Sequence, residues 1–245
     1  MVYSTKINGK VLSFGTSGML YHSNKLMYDR GTKSLWHQFL GEPVVGHLAD
    51  SGTKLDLIPV TLTTWIDWLA IHPDTTVLDI KTGVYPITSY SPEDDLQSIY
   101  FRYRNTPVTI FPVPERADVL ETKSQVLGLT LNGKSIAYPL ELLSRRLVVN
   151  DTLGGQDLVV VATDRGVGAR AYQRKTHEFS LLLTGPEDGS LILTDLNDRR
   201  WRVEEDALVL LEDPRQRLLR LPSRASYWFG WYRFPSRYSD LCWLG

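Results

Sequence analysis

His72 stands where a short helical pattern ends, two residues before Asp74. A helix C-terminus and a neighbouring carboxylate both favour the imidazolium form, so His72 with Asp74 could act as a general acid or base. A histidine that closes a helix turn against the core is the plainer reading. Asp29-Arg30 follows a strand-like run, where it could hold a polar ligand or simply mark a surface turn. These four residues form the candidate catalytic set. Tyr21, His22, Trp36, His37, Trp65 and Trp68 are the candidate ligand-binding set, an aromatic and imidazole lining for a small-molecule cleft. His22, His37, His47 and His72 include no helical His-x-x-x-His pair, so no metal site is assigned.

Two other patterns fall short of a reaction. Gly166-Val167-Gly168-Ala169-Arg170-Ala171 fits Gly-x-Gly-x-x-Ala after a strand-like run. However, Tyr172-Gln173-Arg174-Lys175 does not continue as an amphipathic helix, and no βαβ unit follows. Gly15-Thr16-Ser17-Gly18 is not the Gly-x-Ser-x-Gly of a nucleophile elbow. No cofactor is indicated.

Bulk properties narrow the partners. The 245 residues are 42% hydrophobic and 22% charged, with a formal net charge of -1. Charges of both signs are interleaved without a basic stripe, which argues against nucleic acid. No apolar run is long enough for membrane insertion as a helix, and Met1 to Lys6 carries no signal peptide, which predicts a cytoplasmic chain if that start is natural. A single cysteine, Cys242, rules out an intrachain disulfide and thiolate metal sites. A small molecule and a second copy of the chain remain the candidate partners.

The elements that must position these residues recur. Pro59, Trp65, Trp68 and Leu78 match Pro222, Trp228, Trp231 and Leu241 at a constant offset of 163. Phe14, Leu26 and Trp36 match Phe179, Leu191 and Trp201 at an offset of 165. Identities of rare or apolar type in one order predict an internal duplication. His72 aligns with Pro235, whereas Asp29 meets Asp195 at a similar turn, so His72 is special to one copy. The stretch from Val126 to Val161, ahead of Tyr172, has no counterpart before Tyr3; either the natural start lies upstream, or the first lobe needs that stretch, or a second copy, as cover. Asn8-Gly9 and Asn132-Gly133 predict type I′ hairpin turns. Val11 to Phe14, Lys25 to Tyr28 and Leu158 to Val161 read as strands. Thr64 caps a helix that Pro73 ends, with Trp65, Trp68, Leu69 and His72 on one face. Pro139 opens another over Leu140 to Arg146.

Several of these strings resemble the bacterial and archaeal DUF3179 family: Gly18 to Asn24, Met27 to Arg30, Ser34 to Trp36 with Gln38, His72 to Thr75, and Ala137-Tyr138-Pro139 through Asn150-Asp151. The resemblance spans nearly the whole chain in the family's order and implies no defined activity. It also implies a Cys-Pro-Leu-Cys-Gly motif before the position of Tyr3, which this chain lacks, and frequent export. Thr163 and Gly166 stand where those cysteines would align in the second copy.

The expected fold is mainly β (α+β with few short helices), two duplicated antiparallel lobes packed into one compact unit. Residues 1–80 form the first lobe, 81–122 a connector with short strands, and 123–245 the second lobe. The expected function is a small-molecule enzyme or binding protein with its pocket in the first lobe. The alternative is a non-catalytic interaction module that uses an aromatic surface or exposed β edges. A closed cavity with convergent His, Asp and Arg would favour the first, and an exposed aromatic patch the second.

Overall fold

The structure, a computed structural model of the 245-residue chain, describes residues 1–21, 23–90, 95–113, 119–162, 168–182 and 190–233. Strands β1 (Val2–Tyr3), β2 (Lys6–Ile7), β3 (Lys10–Val11), β4 (Phe14–Tyr21), β5 (Asn24–Asp29), β6 (Leu35–His37), β7 (Glu42–Val45) and β8 (Leu57–Ile58) precede helix α1 (Trp65–Ile71). A 3-10 turn at Ile87–Ser89 and helix α2 (Ile99–Arg104) follow. Then come β9 (Gln125–Leu131), β10 (Lys134–Pro139), α3 (Leu140–Arg145), β11 (Val148–Leu153), β12 (Gln156–Ala162) and β13 (Ala169–Gln173). The chain continues through β14 (Phe179–Leu181), β15 (Ile192–Asp195), β16 (Arg200–Val203), β17 (Ala207–Leu210), β18 (Arg217–Leu221), β19 (Ser223–Tyr227) and α4 (Trp228–Arg233).

The fold is mainly β and antiparallel. An eight-stranded sheet runs β11-β12-β13-β18-β17-β16-β15-β14, and a four-stranded meander runs β4-β5-β6-β7. The edges of the large sheet are tied by one side chain. Asn150 on β11 donates its amide N–H to the Phe179 carbonyl at 2.8 Å and accepts the Phe179 N–H at 2.9 Å, so its carboxamide mimics a backbone partner. Strand β12 shows how an uninterrupted apolar run becomes a central strand. Leu158, Val160 and Ala162 pack into one cluster and Val159 and Val161 into another, because successive side chains leave opposite faces.

Both Asn-Gly pairs make the expected turns, with positive φ at Asn8 (48°), Gly9 (79°), Asn132 (49°) and Gly133 (76°). Thr64 caps α1 by accepting the Asp67 N–H at 3.2 Å, and α3 buries Leu140 and Leu143. Val11 to Phe14 is not one strand. It is split between the end of β3 and the start of β4, since Leu12 turns back to bond Thr5 and Ser13 lends its carbonyl to Arg30. Nor do the described residues of 81–122 contain strands. The helix and the 3-10 turn stand there instead, because prolines withhold the donors a ladder needs while the apolar-basic run after Ser98 winds into a helix.

The two halves share local geometry. Tyr3 pairs with Leu57 and Tyr172 with Arg220 in antiparallel register. The Tyr3 hydroxyl donates to the Phe39 carbonyl at 2.8 Å, and the Tyr172 hydroxyl to the Glu204 carbonyl at 2.7 Å. Phe14 lies opposite Asp29, and Phe179 opposite Asp195. Leu26 and Trp36 are buried and Phe14 half-buried. The hairpin β9–β10 meets the first half through a cluster of Phe39, Val126, Ala137, Trp228, Trp231 and Tyr232.

Candidate functional site

Asp29 ends β5 and is buried. Its carboxylate accepts the Thr32 N–H, the Thr32 hydroxyl at 2.6 Å and the Trp36 indole N–H at 3.0 Å. Burial alone would raise this carboxyl. The hydrogen bonds from Thr32, Trp36 and nearby backbone N–H groups outweigh it and hold the group below the usual carboxylate range. Asp195 repeats the device: it accepts the Trp201 indole at 3.1 Å and the Asn197 N–H at 2.9 Å. Burial again opposes, and these bonds with those from Arg199 hold its carboxyl low. The edge-to-face contact of Phe14 on Trp36, 5.5 Å between centroids, is matched by Phe179 on Trp201 at 5.8 Å. A carboxylate so saturated with donors locks a turn onto a buried indole.

Arg30 makes no ion pair with Asp29. It is exposed and reaches the Tyr28 hydroxyl at 3.1 Å, with its guanidinium 5.5 Å from the Tyr28 ring centre. His37 is buried, and its Nδ1 accepts the Phe39 and Leu40 N–H groups at 3.1 and 3.2 Å. The ring proton therefore sits on Nε2, and the histidine closes the turn after β6. Tyr21 meets the His37 ring edge-on at 5.5 Å.

His72 caps the C-terminus of α1, with its N–H bonded to the Trp68 carbonyl at 2.8 Å. Its ring lies 4.1 Å from that of Trp68, tilted by 38°, and the Trp68 indole donates to the Thr75 hydroxyl at 3.0 Å. Asp74 is exposed and makes no hydrogen bond or ion pair with His72. The helix position expected for His72 is present, and the carboxylate partner is not. His22, Thr163, Gly166, Pro235, Leu241 and Cys242 lie outside the described residues.

The candidate residues thus fall into three separate local units: Asp29 with Trp36, Tyr21 with His37, and Trp68 with His72. A cavity of about 200 Å³ lies elsewhere, walled by Val60, Thr61 and Leu62 on one side and by Leu127, Ala169 and Ser223 among others on the other. Gly168 leads into β13 and not into a helix, so the Gly-x-Gly-x-x-Ala pattern has no helix N-terminus to offer a pyrophosphate. Among the described residues no three His, Cys, Asp or Glu side chains gather as a metal would require.

Two features escaped the sequence reading. One is a largely buried ion cluster tied to the cavity-lining residues Val60 and Thr61. Glu205 accepts Arg170 Nε at 3.0 Å, Arg220 Nη1 at 2.9 Å and the Thr61 hydroxyl at 2.8 Å, while Arg220 Nη2 donates to the Val60 carbonyl at 2.7 Å. No spacing announces it, because its contacts join residues 15 to 160 positions apart. The other is the bareness of α1, which buries no residue. Trp65 is 50% exposed, Ile66 70% and Ile71 52%, whereas Trp228 and Trp231 on α4 are 1% and 2% exposed.

Fold and site define a mainly β protein with buried carboxylate–indole turns and an uncovered apolar helix. The family model described as Protein of unknown function (DUF3179) matches residues 1–237, and the chain belongs to that family. No curated protein and no solved structure matches the chain. No helix among the described residues is long and apolar enough to cross a membrane.

Proposed function

We propose that this chain is a non-catalytic interaction module, built on an internal duplication, that docks a protein partner on the apolar face of α1. One observation carries the reading: the Trp-x-x-Trp helix that is buried as α4 stands uncovered as α1. The matched carboxylate–indole turns and the matched Tyr3 and Tyr172 bonds support the duplication, with lobes at 1–80 and 123–245. Trp65, Ile66 and Leu69, exposed on one side of α1, are the kind of patch that marks an association site. Against an enzyme in the first lobe stands the chemistry of the Asp29 carboxylate and of His37 Nδ1, which are spent on turns and on indole.

The test is a photo-crosslinking residue placed at position 65 of the full chain, with a second at the exposed Arg215 as control, in cells of the natural source. The expected result is one discrete adduct from position 65, lost when Leu69→Ser is added and rebuilt with the purified partner. Equal labelling from both positions, or none from position 65, overturns the docking reading.

A further inference from the structure

We infer that the cavity between residues 60–62 and β19 binds a small monocarboxylate with a short apolar body, its carboxylate taken by Arg224 and Ser223. The inference concerns a different place from the apolar face of α1 and does not rest on the docking reading above.

The cavity is a built space with fixed walls. Strand β19 pairs with β9 along one edge and, among the described residues, with no strand along the other. Ser223, Arg224 and Ala225 line the cavity from β19, and Val60, Thr61 and Leu62 line it from the first half. Arg220 holds the Val60 carbonyl at 2.7 Å, and Glu205 accepts the Thr61 hydroxyl at 2.8 Å. Gly168, also in the wall, lies so close to Leu62 that a Cβ built on it would be 2.4 Å from the Leu62 carbonyl oxygen. Residues 60–62 are therefore pinned, and the space beside them is preformed. Its volume is about 200 Å³. At roughly 30 Å³ for each water-sized group, that admits a ligand of about six or seven heavy atoms.

The polar groups in the wall lack partners. Ser223 is 3% exposed and its hydroxyl makes no hydrogen bond. Arg224 is half-buried, its Nε has no partner, and it forms no ion pair among the described residues. Its guanidinium stands 5.9 Å from the Phe39 ring centre and meets the Tyr3 hydroxyl, a neutral group. Glu42, whose charge reaches Tyr3, is already engaged by Lys54 at 2.7 Å. Successive side chains of a strand leave opposite faces, so Ser223 and Arg224 flank the free edge of β19 from its two sides. A carboxylate lying at that edge can accept from both. Behind the wall Arg170 and Arg220 share the single carboxylate of Glu205, so three guanidiniums surround the cavity region against one anion. A partly buried surplus of cations favours an anionic guest. The remaining lining, with Leu62, Leu127, Leu140 and Ala169, is apolar. It suits a hydrocarbon body and disfavours a strongly hydrated ion such as phosphate.

The probe is pentanoate, titrated into the full chain while its leucine methyl groups are followed by NMR. The expected result is saturable binding with a Kd of about 1 mM or tighter, with shifts centred on Leu62, Leu127 and Leu140. Two controls, 1-pentanol with the body and no charge, and inorganic phosphate with charge and no body, should bind about ten-fold more weakly. Arg224→Met should weaken pentanoate about ten-fold, and Arg224→Lys should restore part of the loss. Ser223→Ala should weaken it about three-fold while the unfolding temperature of the free chain holds or rises, because an unpartnered buried hydroxyl has gone. A serine with a structural role alone would lose stability and keep pentanoate. The inference is overturned if pentanoate shifts none of the three leucines, or if 1-pentanol or phosphate binds as tightly. It is equally overturned if either Arg224→Met or Ser223→Ala binds pentanoate like the wild type.

Discussion

Asp29 and Asp195 show how a residue type that could do chemistry also fastens a turn onto a buried indole. That Asp29 belongs to a turn is legible from the second half, where Asp195 holds a similar place. Its bond to Trp36 is not, since residues seven apart meet only because β5 and β6 fold back on each other. Replacing Asp29 by Ala leaves a buried indole N–H without an acceptor and frees the Thr32 turn. The expected cost is about 3 kcal/mol, read as a lower midpoint in urea with an unchanged slope. Asp29→Asn, which keeps one acceptor oxygen, should cost less than half of that. Because hydrogen bonds hold the folded-state carboxyl low, its contribution is complete above the unfolded value of about 4 and disappears as pH falls through the folded one. The difference between wild type and Asp29→Asn should therefore shrink steadily from pH 5 towards pH 2.

Elements were read well where local chemistry decides them and poorly where packing does. The Asn-Gly turns, the Thr64 cap and the apolar β12 run all follow from short-range rules, and each is where its residues say. The aromatic stripe on α1 gave no hint that it would be left bare, because periodicity marks an apolar face without saying what meets it. Its exposure yields a sharp expectation. Thr64→Ala removes a cap worth about 1 kcal/mol and should speed amide exchange across Trp65–Ile71, while the global unfolding temperature stays within about 1 °C. A fall of several degrees would mean that α1 is packed against the rest of the chain. Its counterpart α4 should respond in the opposite way to crowding. Gly128→Ala drives a methyl into the Trp231 ring, and the expected loss is about 3 kcal/mol of global stability.

At the scale of the molecule, Glu205 is the residue on which the two halves are fastened. It joins Thr61 to Arg170 and Arg220, whose side chains are 9% and 4% exposed, and Arg220 also holds the Val60 carbonyl. Nothing in the sequence foretells this, for a cluster assembled from β13, β18, the turn before β17 and the segment after β8 exists only once the sheets have closed. Burial would raise the Glu205 carboxyl, but the hydrogen bond and charge of Arg170, then Thr61 and Arg220, outweigh it and hold it low. Removing the carboxylate strands two buried guanidiniums beside each other. Glu205→Ala should cost about 3 kcal/mol, a fall in melting temperature of roughly 10 °C for a chain of this size. The sign with pH is fixed by the depressed carboxyl: its stabilisation is present above about pH 4 and vanishes as Glu205 protonates at lower pH, so wild type and variant should converge in acid. Arg220→Met offers the complementary measurement. It removes one of two cations sharing a single carboxylate and loses the bond to Val60, so it should loosen residues 60–62 in amide exchange while costing less globally than Glu205→Ala. Unchanged amide exchange at residues 60–62 in both variants would show that the Val60 and Thr61 attachments do not fasten that segment.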